Sequence, residues 1–262
     1  MRAFASALWA EVLKARRAII TPLAALGACI LPLAGGLFMV VLKDPAKARA
    51  MGLISAKAQI MVGVADWPAY LHLLLQGVAA AGAILFSIIT TWVFGREFSD
   101  HTVKELLALP TPRAAIVAAK LVLILSWSLL LATLIFVVGL GVAMAVHIPG
   151  WTFDLITRSF GSLMLIAFLT YLLMPFVALL ASAGRGYLGA LGWTFLMLAM
   201  AQLAAILGWG DWFPWAVPAL LSGAAGPEAA RLGVHSYLVV FIASIAAAAA
   251  TFTWWHRADQ TR

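Results

Sequence analysis

The chain has 262 residues, of which 65% are hydrophobic and only 10% charged, and its mean hydropathy is +1.04. Soluble domains carry roughly a quarter charged residues, so this composition excludes a soluble fold and describes an all-α polytopic membrane protein. The formal net charge of +7 does not indicate a nucleic-acid partner, because the Lys and Arg residues sit at the ends of apolar runs and not on one polar face.

In chain order, residues 1–17 predict an amphipathic connecting helix on the membrane surface. Phe4, Leu8, Trp9, Val12 and Leu13 recur at helical spacing, while Arg2, Glu11, Lys14, Arg16 and Arg17 are expected to face water and head groups. The same residues also serve as the basic flank that orients the first span. A span needs about 20 apolar residues, and six runs meet that length: 18–42, 70–94, 114–146, 159–183, 187–208 and 232–255. The first is too long for the h-region of a cleavable signal peptide, and the lone Cys29 inside it leaves no intrachain disulfide.

With both termini on the inside, the inner segments carry eleven Lys/Arg and the outer segments six, the asymmetry expected of cytoplasmic termini. The four basic residues of 43–69 run against that trend, and this loop reads as a modest outer cap, helical over Ala46–Met61. The third run exceeds the span length, so it is expected either to tilt or to project, with Lys120 snorkelling at its inner end. Pro22, Pro32 and Pro175 predict kinks inside spans. The abundant Gly and Ala permit close helix contact, within the chain or along a seam between two copies.

The densest internal charge lies in the inner loop 95–113. There Thr102-Val103-Lys104-Glu105 has the form of a capping box, with the Glu105 carboxylate reaching back to the Thr102 N–H. A short helix Val103–Leu109 follows, stopped by Pro110 and Pro112. Val103, Leu106, Leu107 and Leu109 form its apolar edge, with Lys104 and Glu105 in water, as suits docking on another protein. The outer segment 209–231 concentrates Trp209, Trp212, Phe213 and Trp215 around two prolines. It reads either as an interfacial anchor or as a partly re-entrant gate over the outer mouth of a pathway.

The chemistry that is missing narrows the function. All ten Asp/Glu fall in or beside loops, against a proton- or sodium-coupled carrier. The five His show no metal-ligand spacing, no G-x-S-x-G surrounds Ser162, and no G-x-x-x-x-G-K-[ST] is present, so neither metal binding nor ATP hydrolysis by this chain is expected. His72, Gln76 and Gln202 are the polar groups at depth. They either bond neighbouring helices or line a cargo path.

Arg96-Glu97-Phe98, Thr102, Lys104, Leu106-Leu107, Pro110, Arg113 and Lys120 stand in the order typical of the membrane subunit of a type-2 ATP-binding-cassette (ABC) exporter, which the chain resembles over nearly its whole length. Glu11-x-x-Lys14-x-Arg16-Arg17 is similar to the bacitracin-resistance and lantibiotic-immunity permease branch, although His101 stands where the family often has Gly. The resemblance implies a six-span permease of the bacterial inner membrane, exporting an amphipathic or hydrophobic compound such as a peptide antibiotic. Its partners would be membrane lipid, a second permease copy or sister chain, and two cytoplasmic ATPase subunits that hold the ATP and Mg. The helix after Thr102 would be the coupling helix, with Glu97 and Arg113 beside it. The competing hypothesis is a membrane sensor or assembly subunit that docks a cytoplasmic partner without transporting. A membrane enzyme is disfavoured by the missing catalytic groups.

Overall fold

The computed structural model describes residues 2–44, 64–100, 102, 103, 105, 110–224 and 232–257. Among them every regular element is a helix, and six are long and apolar enough to cross a membrane. A surface helix α1 (Arg2–Arg17) precedes the first span, α2 (Ile20–Lys43). The second span is built from α3 (Trp67–Gly77), a π-helical turn (Val78–Gly82) and α4 (Ala83–Ser99). The third is the unbroken α5 (Arg113–Val146), and the fourth is α6 (Phe153–Tyr171) followed by α7 (Met174–Ala183). The fifth is α8 (Leu188–Ile206), leading through a 3₁₀ turn (Gly210–Trp212) and the short α9 (Val217–Leu221) to the sixth, α10 (Val234–Arg257). The outer-cap helix expected over Ala46–Met61 lies outside the described residues.

Span boundaries differ from the hydropathy reading wherever a cap or a buried charge extends a helix. The second span starts at Trp67 because the Asp66 carboxylate accepts the Ala69 N–H at 2.9 Å, with Pro68 in the first turn. It runs on to Ser99 because Glu97 is buried and paired, so its charge does not end the helix. The fourth begins at Phe153, six residues earlier than 159, because Thr152 caps it and Asp154 and Arg158 pair one turn apart at 2.9 Å.

The three prolines act differently. Pro22 falls in the first turn of α2 and interrupts nothing. Pro32 lies inside the same helix, and its carbonyl accepts the fully buried Tyr70 hydroxyl at 3.0 Å. Only Pro175 coincides with a break. Around it the chain tightens into i→i−3 bonds (Leu173 to Thr170 and Phe176 to Leu173), and Thr251 of α10 donates to the Pro175 carbonyl at 3.2 Å.

α5 is the mast of the bundle, packing against α1, α2, α4, α6 and α10. At its far end, the Lys43 ammonium donates to the carbonyls of Val146 and His147, both at 3.1 Å. At the opposite end, Arg113 donates to the carbonyls of Trp255 and His256 at 3.2 and 3.1 Å, tying the start of α5 to the end of α10. There Trp255 stacks edge-on against Phe94 and Phe98 and donates its indole N–H to Ser182 at 3.0 Å.

Gly36 and Gly139 are among the glycines that let the helices approach closely. A Cβ on Gly36 of α2 would run into the Val142 side chain of α5, and one on Gly139 of α5 would come within 2.5 Å of Leu74 Cδ1 on α3. Gly27, on the same helix as Gly36, has its nearest neighbour at 3.8 Å. Gly36→Leu is therefore expected to cost about 1–3 kcal/mol by overpacking and to lower the thermal unfolding midpoint in detergent. Gly27→Ala should leave that midpoint unchanged or slightly raised.

Candidate functional site

At the end of the bundle that carries loop 95–113, four charged side chains from three helices meet, Glu11, Glu97 and Lys120 out of solvent and Lys14 half-buried. Lys120 projects from the third turn of α5 and is fully buried. Its ammonium donates to the Val93 carbonyl at 2.8 Å, to Glu97 Oε1 at 3.0 Å and to Glu11 Oε2 at 3.2 Å. Lys14, one turn after Glu11 on α1, bridges the same two carboxylates, donating to Glu11 Oε1 and Glu97 Oε1 at 2.9 Å each. Glu11 and Glu97 are only 5% and 4% exposed, so their pairs with the buried Lys120 are desolvated and little screened, whereas the Lys14 side chain keeps 34% of its surface exposed. Burial lowers the Lys14 pKa, but the Glu97 and Glu11 carboxylates outweigh it, and the net shift is upward from 10.5. Its contribution to stability is therefore complete below pH 10.5 and is lost only as the pH rises through the folded value.

This geometry corrects three expectations. Lys120 does not snorkel, because its head is met by two carboxylates and a carbonyl at its own depth. Glu11 does not face water, and Lys14 reaches inward. The protein-facing side of α1 is charged, and Trp9, counted on its apolar face, is 66% exposed to the surroundings. The signal available in sequence was a lysine two turns inside an apolar run, with a Glu and a Lys three apart on the preceding surface helix.

A cavity of about 480 Å³ opens from this cluster toward the loop, lined by Ser6, Glu11, Glu97, Thr102, Glu105 and Thr111 among others. Glu97 Oε2 is buried at its edge without a hydrogen-bond partner. The Thr102 N–H, the donor the capping box would assign to Glu105, bonds the Glu97 carbonyl at 3.0 Å and closes the end of α4. Thr102 and Glu105 are exposed, whereas Val103 is buried in the apolar core and not on an outward edge. Lys104, Leu106, Leu107 and Leu109 lie outside the described residues.

The remaining candidates are distributed along the bundle. His72 is exposed on α3 and within 3.3 Å of Gln76, whose amide donates to the Gly223 carbonyl at 3.5 Å. Gln202 stands apart, exposed on α8. Trp209 and Trp212 are exposed, Phe213 is half-buried and Trp215 is buried, so the aromatic segment faces both ways. Trp212 stacks on His235 at 4.6 Å, and His235 Nε2 lies 3.0 Å from Asp211 Oδ2, a link to α10 that hydropathy does not reveal. No cluster of His, Cys, Asp and Glu with the makings of a metal site occurs among the described residues.

Six apolar spans with a surface helix ion-paired into the second and third define a polytopic membrane protein. The chain matches the family described as ABC-2 family transporter protein over residues 7–201, and it belongs to that family. Over 183 residues it is 24% identical to the bacitracin transport permease protein BCRB of Bacillus licheniformis, a match covering 70% of this chain and 87% of that protein. It is thus the permease subunit of an ABC transporter, a multi-pass protein of the bacterial inner membrane. Glu11, Lys14, Glu97 and Lys120 all lie inside the matched range.

Removing one partner from the cluster should strand like charges out of water. Lys120→Met is expected to cost about 3–5 kcal/mol. Adding Glu97→Gln to it should restore part of that loss, a non-additivity visible in thermal unfolding of the single and double variants.

Proposed function

We propose that the chain forms half of the pathway for ATP-driven export of an amphipathic or hydrophobic compound, a peptide antibiotic being the leading candidate. The ATP and Mg would be held by separate cytoplasmic ATPase subunits. The observation that carries this reading is the buried junction of Glu11, Lys14, Glu97 and Lys120 at the root of loop 95–113. A force applied to that loop reaches α4 through the Glu97 carbonyl and its bond from Thr102. The ion pairs then carry it into α1 and α5 together, so the three helices respond as one body.

In this reading both termini are cytoplasmic. Leu106, Leu107 and Leu109 seat in the ATPase, with Lys104, Glu105 and Arg113 around them and Val103 holding the segment to the bundle. Two permeases, copies or sister chains, pair around the path, as the family implies. Gln202, His72 and Gln76 are the polar groups assigned to cargo, and Trp209, Trp212, Phe213 and Trp215 to the outer mouth. The apolar character of the spans suits such cargo better than small ions. The bacitracin transport permease similarity points in the same direction.

The test is affinity purification of the tagged chain in mild detergent, followed by mass spectrometry of what co-purifies. A soluble protein with a Walker A motif is expected, and Leu106→Asp or Leu107→Asp should lose it while the permease still folds. In vesicles those variants should abolish cargo-stimulated ATP hydrolysis. Unchanged transport by them would sink the coupling assignment, and a docked partner with no cargo-stimulated turnover would favour a sensor.

A further inference from the structure

Beside the buried junction lies a second hollow of about 510 Å³ lined by Ala10, Leu13, Lys14, Arg17, Ala18 and Arg96. We infer that this hollow is a binding site for the head group of an anionic phospholipid.

Three cations converge on it, and each keeps donors to spare. Lys14 uses two of its N–H groups on Glu11 and Glu97, leaving one. Arg96 bonds Asp100 through Nε at 3.2 Å, which leaves both Nη groups. Arg17, the last residue of α1, is exposed and has no hydrogen-bonded or ion-paired partner among the described residues, so its whole guanidinium is available.

Charge balance points the same way. The lining of the hollow carries three cations, Lys14, Arg17 and Arg96, and no carboxylate; Lys14 and Arg96 are paired with carboxylates outside that lining, and the charge of Arg17 is unmatched among the described residues. A single phosphodiester supplies the missing charge and acceptor oxygens for the spare N–H groups.

The surroundings favour a lipid over a free anion. Arg96 lies over the Trp92 ring, 5.0 Å from its centroid, and Trp92 packs edge-on against Trp127 at 6.2 Å. That places an indole at the end of the second span, the depth at which Trp meets head groups. Ala10, Leu13 and Ala18 give the hollow an apolar wall for the glycerol and the first methylenes, and exposed apolar side chains follow at Ile19, just before α2, and at Leu23 on it, at 78% and 54% exposure. This inference is independent of the cargo and of the direction of transport.

The test compares retention of dioleoyl phosphatidylglycerol and dioleoyl phosphatidylcholine by the purified full-length protein, by native mass spectrometry at matched lipid ratios. Wild type is expected to hold the phosphatidylglycerol in preference. Arg17→Gln should weaken that retention roughly fivefold, as one basic group near a membrane surface does. Arg17→Lys should restore most of it, and Arg17→Gln with Arg96→Gln should weaken it further. Arg16→Gln removes the same charge one residue away, outside the hollow, and should have no effect. Both arginines stand apart from the buried pairs, so the variants should keep the wild-type unfolding midpoint. Equal retention of the two lipids, an unchanged Arg17→Gln, or an equal loss in Arg16→Gln would overturn the proposal. Displacement of the lipid by excess inorganic phosphate would also overturn it, by making the hollow a free-anion site.

Discussion

Lys120 is an ammonium with no access to water in a bundle made mostly of hydrocarbon, and much of the architecture at that end follows from keeping it charged. Desolvating a lysine costs several kcal/mol unless opposite charge and acceptors surround it. Here those groups come from two other helices: Glu97 and the Val93 carbonyl from α4, and Glu11 from α1. Glu11 and Glu97 cannot approach each other without cations between them, so Lys14 completes the set. The net gain in stability from such a cluster is modest, but its geometric demand is strict, because any displacement of α1 uncovers an unpaired ion. The position of the surface helix is thereby fixed by charge, where apolar contact alone would let it slide.

The rest of the bundle distributes order around α5. Its two ends are linked to other helices by cations that satisfy terminal carbonyls, Lys43 on the last turn of α5 and Arg113 on the last turn of α10. Its flank is approached closely where Gly36 and Gly139 remove a side chain. Against this uninterrupted element, the second and fourth spans are irregular, one through the π-helical turn Val78–Gly82 and the other at Pro175. The break at Pro175 is buried among neighbouring helices, the condition under which a membrane tolerates it, whereas the π-helical turn buries Val78, Ala79 and Gly82 and exposes Ala80 and Ala81. A continuous third span beside two interrupted ones suits the proposed transmission of movement from the loop to a pathway.

The same end of the molecule also meets the membrane surface. Beside the pairs that hold α1 in place, a hollow is lined by three cations and no carboxylate, with Ala10, Leu13 and Ala18 as an apolar wall. Anchoring the surface helix to protein on one face and to a lipid head group on the other would brace it from both sides.

Much of the fold was legible in the sequence because its cause is compositional. Six apolar runs, basic flanks and the order of residues around loop 95–113 indicate a polytopic permease without any tertiary information, since each span satisfies its own backbone within the run. What the sequence could not disclose is which charged residues face one another. Glu11 and Lys120 are separated by 109 positions, and hydropathy assigned one to water and the other to the lipid interface. Exposure of a charge depends on what lies across from it, so burial of Glu11, Glu97 and Lys120 was decided only when α1, α4 and α5 packed together. The same holds for Val103, drawn inward from its expected edge, and for Pro32 and Pro175. Equivalent on paper, they differ because Tyr70 bonds the backbone at one and the helix breaks at the other. Local composition determined the spans and the class of protein, and long-range electrostatics and packing determined the junction through which it is proposed to work.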